Sequence, residues 1–203
     1  MDFFILAMLF AVGVNALRFV AQRKRIALLG SYLGKYQIEK LMETLTAGYL
    51  RALGEEDSAR REQIWQILAN SEASLSQQFN AFVVDFAKVA PAQALISRWA
   101  FAIPFADQLF AQSSFDARKL FAIHGKGLAA AAQNTRQQTP RDKAFTMMAE
   151  LFLMQHSCHW FCKSKPVASA RLILRHQTPY EQVVQSVAPA TRQAYQALTE
   201  RGH

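Results

Sequence analysis

The most continuous apolar pattern in the chain lies near its N-terminus, where residues 3–17 read FFILAMLFAVGVNAL without a charged side chain. After Arg18, the pattern resumes as FVAQ before a basic triplet at 23–25. If the long Arg18 side chain reaches toward the membrane surface, residues 3–22 supply about 30 Å of helix, the thickness of the hydrocarbon core of a bilayer. The pattern therefore predicts one transmembrane helix.

The charges that flank this run predict its orientation in the membrane. Asp2 precedes the run, and four basic residues follow it: Arg18, Arg23, Lys24 and Arg25. Because basic residues are retained on the cytoplasmic side, we expect a single-pass protein of a bacterial inner membrane, with its N-terminus outside and its C-terminal domain in the cytoplasm. A cleaved signal peptide and a buried core helix are the two alternatives. The signal peptide is disfavoured because its apolar run normally follows basic residues rather than an acid.

The rest of the chain places apolar residues at three- and four-residue spacing, which is the period of an α-helix. One such stripe covers 38–53, and a second covers 64–86, where Asn70 and Ser71 could divide it into two helices. We find no period-2 alternation and no Asn-Gly or Asp-Gly hairpin signal. The sequence therefore predicts an all-α fold, in which a single transmembrane helix is followed by a compact multi-helix cytoplasmic domain.

Capping residues predict where several of these helices begin. Asp57 or Ser58 suits one start, and Ser114 suits another. Two further starts place a proline at the first helical position, TPRD at 139–142 and TPYE at 178–181, and we expect the second to form a reciprocal capping box. Further boundaries are expected at the remaining prolines: Pro91, Pro104, Pro166 and Pro189.

These boundaries divide the chain into three segments. Residues 1–25 are the predicted anchor with its basic stop, 26–56 a connecting amphipathic helix, and 57–203 the helical domain. The 203 residues are 51% hydrophobic and 19% charged, which excludes wholesale disorder. Two cysteines only four positions apart exclude a disulfide-stapled secreted scaffold. The 15 acidic residues are scattered, and we expect them on solvated faces.

A cluster of possible metal ligands occurs in MQHSCHWFC at 154–162, which contains both cysteines of the chain and two of its five histidines. On one helix, with about 100° per residue, the four side chains fan over roughly 160° and cannot meet at a single ion. The C-x3-C spacing also differs from structural zinc motifs, and the C-x2-C-H haem motif is absent. We expect a core helix with packed thiols and no metal or cofactor. Cys158, His159 and Cys162 remain the candidates if a haem, a metal or a redox pair is bound.

The net charge of +8 favours acidic partners, and the basic residues form two groups. The first follows the apolar run, where an anionic inner leaflet would attract it. The second lies in KSKPVASARLILRH, whose helical spacing places basic residues beside an apolar face and predicts contact with lipid or an acidic protein. A solvated helix face is the alternative. The second group consists of Lys163, Lys165, Arg171 and Arg175.

The motifs of common enzymes are absent from the sequence, including G-x-S-x-G, H-E-x2-H and the phosphate-binding loop. Nucleic acid is disfavoured as a partner because no recognition signature occurs. We therefore expect a non-enzymatic adaptor or regulatory subunit of an inner-membrane complex, for example a secretion, conjugation or respiratory assembly. A haem-, metal- or redox-sensing domain and a membrane-associated enzyme are the alternatives. The sequence indicates no oligomeric state.

Overall fold

The computed structural model describes residues 2–99 and 113–200, and these ranges contain eight α-helices. The all-α prediction is confirmed, with one apolar helix at the N-terminus. The predicted break at Pro104 lies outside the described residues. The helices are α1 (Asp2–Leu33), α2 (Ile38–Gly54), α3 (Ser58–Phe86), α4 (Ala117–Ala132), α5 (Pro140–Cys162), α6 (Lys165–His176), α7 (Tyr180–Ser186) and α8 (Pro189–Thr199).

Helix α5 is the centre of the fold and packs against α1, α2, α4, α6 and α7. Helix α3 packs on α2 and α4, and α4 also contacts α8. Because α5 has neighbours on nearly every side, it can be apolar almost all round, as its sequence predicts. The core where α3, α4 and α5 meet is a cluster of rings in largely edge-to-face contact: Phe82, Phe86, Phe121 and Phe161.

Helix α1 has two different parts. From Phe4 to Val20 most of its apolar side chains are exposed, and Phe10 retains 74% of its accessible surface. Near its C-terminal end the same helix enters the core: Leu29 is 4% exposed, and the Tyr32 ring packs edge-on against Phe86 at 5.5 Å. In the described part of the chain, α1 alone is long and apolar enough to cross a membrane. The most apolar stretch of α1 is not buried against the domain, so only the C-terminal part of this helix belongs to the core.

Helix α3 is continuous from Ser58 to Phe86, so the suggested division at Asn70 and Ser71 is wrong. Both residues have only weak local helix preferences, and packing of the stripe on either side of them against α2 and α4 overrides these preferences. Where α2 and α3 approach closely, Gly48 faces the side chain of Leu68, which would have to shift to admit a Cβ atom there.

Two short strands, β1 (Leu95–Ser97) and β2 (Ser114–Asp116), pair in antiparallel register, and the sequence does not predict them. Three-residue strands are too short to show a period-2 pattern. Ser114 therefore belongs to a strand and does not cap α4. Asp116 caps that helix, accepting a hydrogen bond of 2.8 Å from the backbone N–H of Arg118.

Of the other predicted helix starts, those at Asp57 and Thr139 are confirmed and the one at Thr178 is wrong. Asp57 caps α3 and Thr139 caps α5, each accepting from backbone N–H groups of the first turn, as predicted. The capping box predicted at Thr178 is wrong, because its hydroxyl donates to the His176 carbonyl at 2.8 Å. That carbonyl lies at the C-terminal end of α6, where the last carbonyls lack helical partners. Helix α7 consequently begins only at Tyr180.

Candidate functional site

The histidines of the 154–162 stretch lie in the last turns of α5 and face different surroundings. His156 faces α6 and α7: its Nε2 lies 3.1 Å from Ser169 Oγ, and its ring stacks on Tyr180 with the centroids 4.6 Å apart. Burial is the main cause that lowers the pKa of His156 to about 3, so its ring is neutral at physiological pH. His156 is therefore a buried structural side chain in a polar contact between helices.

His159, Cys158 and Cys162 lie on another side of α5. The Nδ1 atom of His159 is 3.3 Å from a guanidinium nitrogen of Arg171, and the two thiols are half-buried against the core. These three side chains line a cavity between α5, α6, α1 and α2. Over residues 2–99 and 113–200, no three His, Cys, Asp or Glu side chains form a group that could hold a metal ion.

The cavity has a volume of about 630 Å³, within the range of small-molecule binding sites. The C-terminal part of α1 forms one wall of the cavity and the start of α2 forms the next. The interior is mainly apolar, because aliphatic and sulfur-containing side chains from three helices converge on it. Examples are Leu29, Leu33, Ile38, Met42, Met154 and Cys158.

Positive charge surrounds the opposite wall of this cavity. Three basic residues line it: Lys163, Arg171 and Arg175. Among the described residues that line the cavity, Glu39 is the one acid. Arg175 also forms a salt bridge of 3.2 Å with Glu43. Because Glu43 pairs with Arg175, Lys163 and Arg171 are the cations that favour an anionic group at this wall.

Titration of the cavity side chains reflects both burial and this charge. Burial, reinforced by Arg171, Arg175 and Lys163, lowers the pKa of His159 to about 4. Burial raises the pKa of Cys162 to about 11, although nearby cations oppose the shift, and it also raises the pKa of Cys158. Reactive redox cysteines have lowered pKa values, so these thiols are poorly suited to a redox pair.

We expect the Cys158→Ala/Cys162→Ala variant to lose about 1–3 kcal/mol of unfolding free energy, because it removes sulfur atoms that contact the core. Denaturation in mild detergent, followed by circular dichroism, would measure this loss. Metal analysis and an absorbance scan of the wild type provide the control. Stoichiometric zinc, or a Soret band that disappears in the variant, would contradict a packing role.

The basic residues that follow the apolar run occupy different environments on α1. Arg23 and Lys24 are exposed, and the Arg23 guanidinium lies 4.4 Å from the centre of the Phe19 ring. Arg18 is partly buried. Arg25 points toward the domain and donates to the Phe161 carbonyl at 3.3 Å. Arg25 therefore helps to join α1 to the C-terminal end of α5.

Lys165 differs from the other basic residues of the second group. Its ammonium nitrogen lies 4.5 Å from the centre of the Tyr180 ring and 5.3 Å from that of Trp160, at the start of α6. Cation–π contacts of this kind stabilise the fold. The structure thus brings Lys163, Arg171 and Arg175 to the cavity, whereas Lys165 is outside it.

Two acidic residues are buried, so the prediction that the acids occupy solvated faces is wrong for them. Glu72 accepts a hydrogen bond of 2.6 Å from the Tyr49 hydroxyl and pairs with Lys143. Glu150 is fully buried and accepts a hydrogen bond of 3.0 Å from the backbone N–H of Ala188, at the start of α8. Scattered acids carry no sequence signal that separates these two from the exposed ones.

The Glu150 carboxyl group fits beside a glycine of α4. A Cβ atom at Gly127 would lie 2.4 Å from Glu150 Oε2 and 2.6 Å from the Thr191 hydroxyl. Burial raises the pKa of Glu150 to about 7, although its hydrogen bonds to Thr191 and Ala188 oppose the shift. Nearby, His124 Nε2 lies 2.8 Å from Ser157 Oγ, and burial lowers the pKa of His124 to about 3. These groups form a buried polar layer beneath α8.

Comparisons with known proteins identify no relative: no family model matches the chain, and searches of curated proteins and solved structures give no significant match.

Proposed function

We propose that this chain is a membrane-anchored protein whose helical domain lies in the cytoplasm and acts by binding, as an adaptor or regulatory subunit of a bacterial inner-membrane complex. The observation that carries the proposal is the continuity of α1. Its exposed apolar part and its core-packed part belong to one 32-residue helix. An anchor of this form holds the domain at a fixed distance from the bilayer and raises its effective concentration near other membrane proteins.

The exposed surface of α6 supports a binding role. Ile173 and Leu174 are 51% and 83% exposed, beside Arg171 and Arg175. Buried Leu172 attaches the helix to the domain, so its apolar and basic side chains remain on the outside. An exposed face of this composition suits an acidic protein or the anionic surface of the inner leaflet. Secretion, conjugation and respiratory assemblies are the kinds of complex that such a subunit would serve.

The first experiment tests the anchor and its orientation with the full chain. We expect the protein to stay in the membrane pellet after alkaline carbonate extraction, because transfer of the exposed part of α1 to water is unfavourable. A C-terminal fluorescent fusion should be active, whereas a C-terminal alkaline phosphatase fusion should be inactive. Recovery of the untagged protein in the soluble fraction would contradict the anchor, and an active phosphatase fusion would contradict the orientation.

The second experiment tests the basic face of α6. We expect Arg171→Gln/Arg175→Gln to weaken recovery of crosslinked membrane partners, most clearly at low salt, because exposed charges are screened over about 8–10 Å at physiological ionic strength. The matched control is Arg51→Gln/Arg60→Gln, which removes two exposed charges from α2 and α3. Equal recovery with both variants, at unchanged melting temperature, would show that the basic face of α6 is only a solvated surface.

A further inference from the structure

The cavity beside α5 lies directly next to the membrane-exit region of α1. Ile26 is four residues beyond the apolar run that ends at Gln22, and Leu33 is eleven residues beyond it. At 1.5 Å per residue, the α1 wall of the cavity extends from about 6 Å to about 16 Å past the hydrocarbon core. Each headgroup layer is about 5–8 Å thick. If α1 spans the bilayer, the cavity therefore begins at the outer edge of the headgroup layer and extends away from the membrane from there.

The wall formed by α5 lies at a similar distance from the bilayer, because α5 runs back toward the membrane. Arg25 of α1 donates to the carbonyl of Phe161, so the end of α5 lies at the membrane-exit level. Lys163, which follows α5, is consequently a cavity cation near the membrane. Met154, two turns earlier in α5, lines the apolar interior. The cavity thus combines a cation near the bilayer surface with an apolar interior that extends away from it.

We propose that this cavity binds an anionic amphiphile with one acyl chain, with the chain among Leu29, Met42 and Met154 and the carboxylate or phosphate head at Lys163 and Arg171. This inference rests on the membrane location proposed above. A fatty acid and a lysophospholipid share the required chemistry. The 630 Å³ volume matches a small molecule, and the bilayer beside the cavity is a local source of acyl chains.

The two cysteines provide a reporter inside the cavity. Cys158 and Cys162 both line it, and they are the only cysteines of the chain. We expect each thiol to react slowly with a maleimide, because burial raises its pKa. A bound acyl chain would shield both thiols further. A ligand at about ten times its Kd leaves roughly one-tenth of the cavities open, so alkylation should slow by about tenfold.

The experiment measures alkylation of each thiol by mass spectrometry in the full chain, reconstituted in phosphatidylcholine nanodiscs. The discs are doped with a long-chain fatty acid, with lysophosphatidylglycerol, or with zwitterionic lysophosphatidylcholine of the same chain length. We expect at least one anionic amphiphile to slow alkylation by about tenfold and the zwitterionic one to have a much smaller effect. The two anionic arms distinguish a carboxylate head from a phosphate head.

Gly30→Leu is the variant that should block the cavity. Gly30 lines the cavity, and a Cβ atom there meets no other group within 4 Å, so the leucine side chain would enter open space. Leucine is also a better helix former than glycine, so the variant should fold. The matched control is Gly54→Leu, which is equally open but lies at the end of α2, outside the cavity. We compare the ratio of alkylation rates with and without amphiphile in each variant.

We expect a tenfold ratio in the wild type and in Gly54→Leu, and a ratio near one in Gly30→Leu. The proposal would be overturned if the amphiphile protected the two glycine variants equally. It would also be overturned if no anionic amphiphile slowed alkylation, or if the zwitterionic amphiphile slowed it as much as the anionic ones. The carbonate extraction described above separates the two proposals, because absence of protection in a wild-type chain that stays in the membrane pellet contradicts only the amphiphile site.

Discussion

Replacement of Glu72 by alanine should remove about 3–5 kcal/mol of unfolding free energy, because it breaks a buried ion pair and leaves one charge uncompensated. Glu72 is 4% exposed, and its carboxylate bonds both the Tyr49 hydroxyl and the Lys143 ammonium group. These three residues belong to α3, α2 and α5. The substitution should therefore loosen the contact among three helices at once.

The measurement is denaturant unfolding of the full chain in mild detergent, followed by circular dichroism. Glu62→Ala is the matched control, since Glu62 is an exposed acid in the same helix, and we expect it to change stability by less than about 0.5 kcal/mol. Equal midpoints for the two alanine variants would show that the Glu72 cluster contributes little net stability. Glu72→Gln, which keeps the shape and removes the charge, should be intermediate.

The second large effect is a dependence of stability on pH that arises from Glu150. Burial raises the pKa of this carboxyl from 4.5 in the unfolded chain to about 7 in the folded one. Between these values the folded state binds more protons than the unfolded state, so stability falls as pH rises through this window. This rise in pKa corresponds to about 3 kcal/mol of stability, which is lost above pH 7.

Glu150→Gln should remove most of this dependence, because the amide stays neutral and its oxygen can still accept from the backbone N–H of Ala188. We expect the variant to match the wild type near pH 5 and to exceed its stability near pH 8 by an amount approaching about 3 kcal/mol. Glu181→Gln, at an exposed acid of α7, is the control and should leave the wild-type pH profile unchanged. A Glu150→Gln profile parallel to that of the wild type would contradict the raised pKa.

Ionisation of Glu150 would weaken the packing at the junction of α4, α5 and α8. Its ionisation would place a charge beside Gly127 and Thr191, in a layer with no room for an added Cβ atom. Helix α8 begins at the backbone N–H that Glu150 bonds. We therefore expect α8 to be the first element loosened at alkaline pH, and amide hydrogen exchange would localise this change.

Local sequence patterns predict the helical class of this protein because helices are specified by short-range spacing. The stripe of α3 and the caps at Asp57 and Thr139 act within a few residues, so neighbouring positions carry the information. The apolar character of α1 is likewise a property of composition. The pairing of β1 with β2 and the altered start at Thr178 depend on hydrogen bonds that local spacing does not reveal.

The sequence by itself determined an all-α chain with one long apolar helix, a central helix that is apolar nearly all round, and two groups of basic residues. Only the tertiary structure decided which of these residues meet. It placed Cys158 and His159 in a cavity with α1 and Arg171, and it buried Glu72 and Glu150 while most other acids remained exposed. The physical reason is that burial, charge pairing and cavity shape arise between helices distant in sequence, whereas periodicity and capping act within one helix.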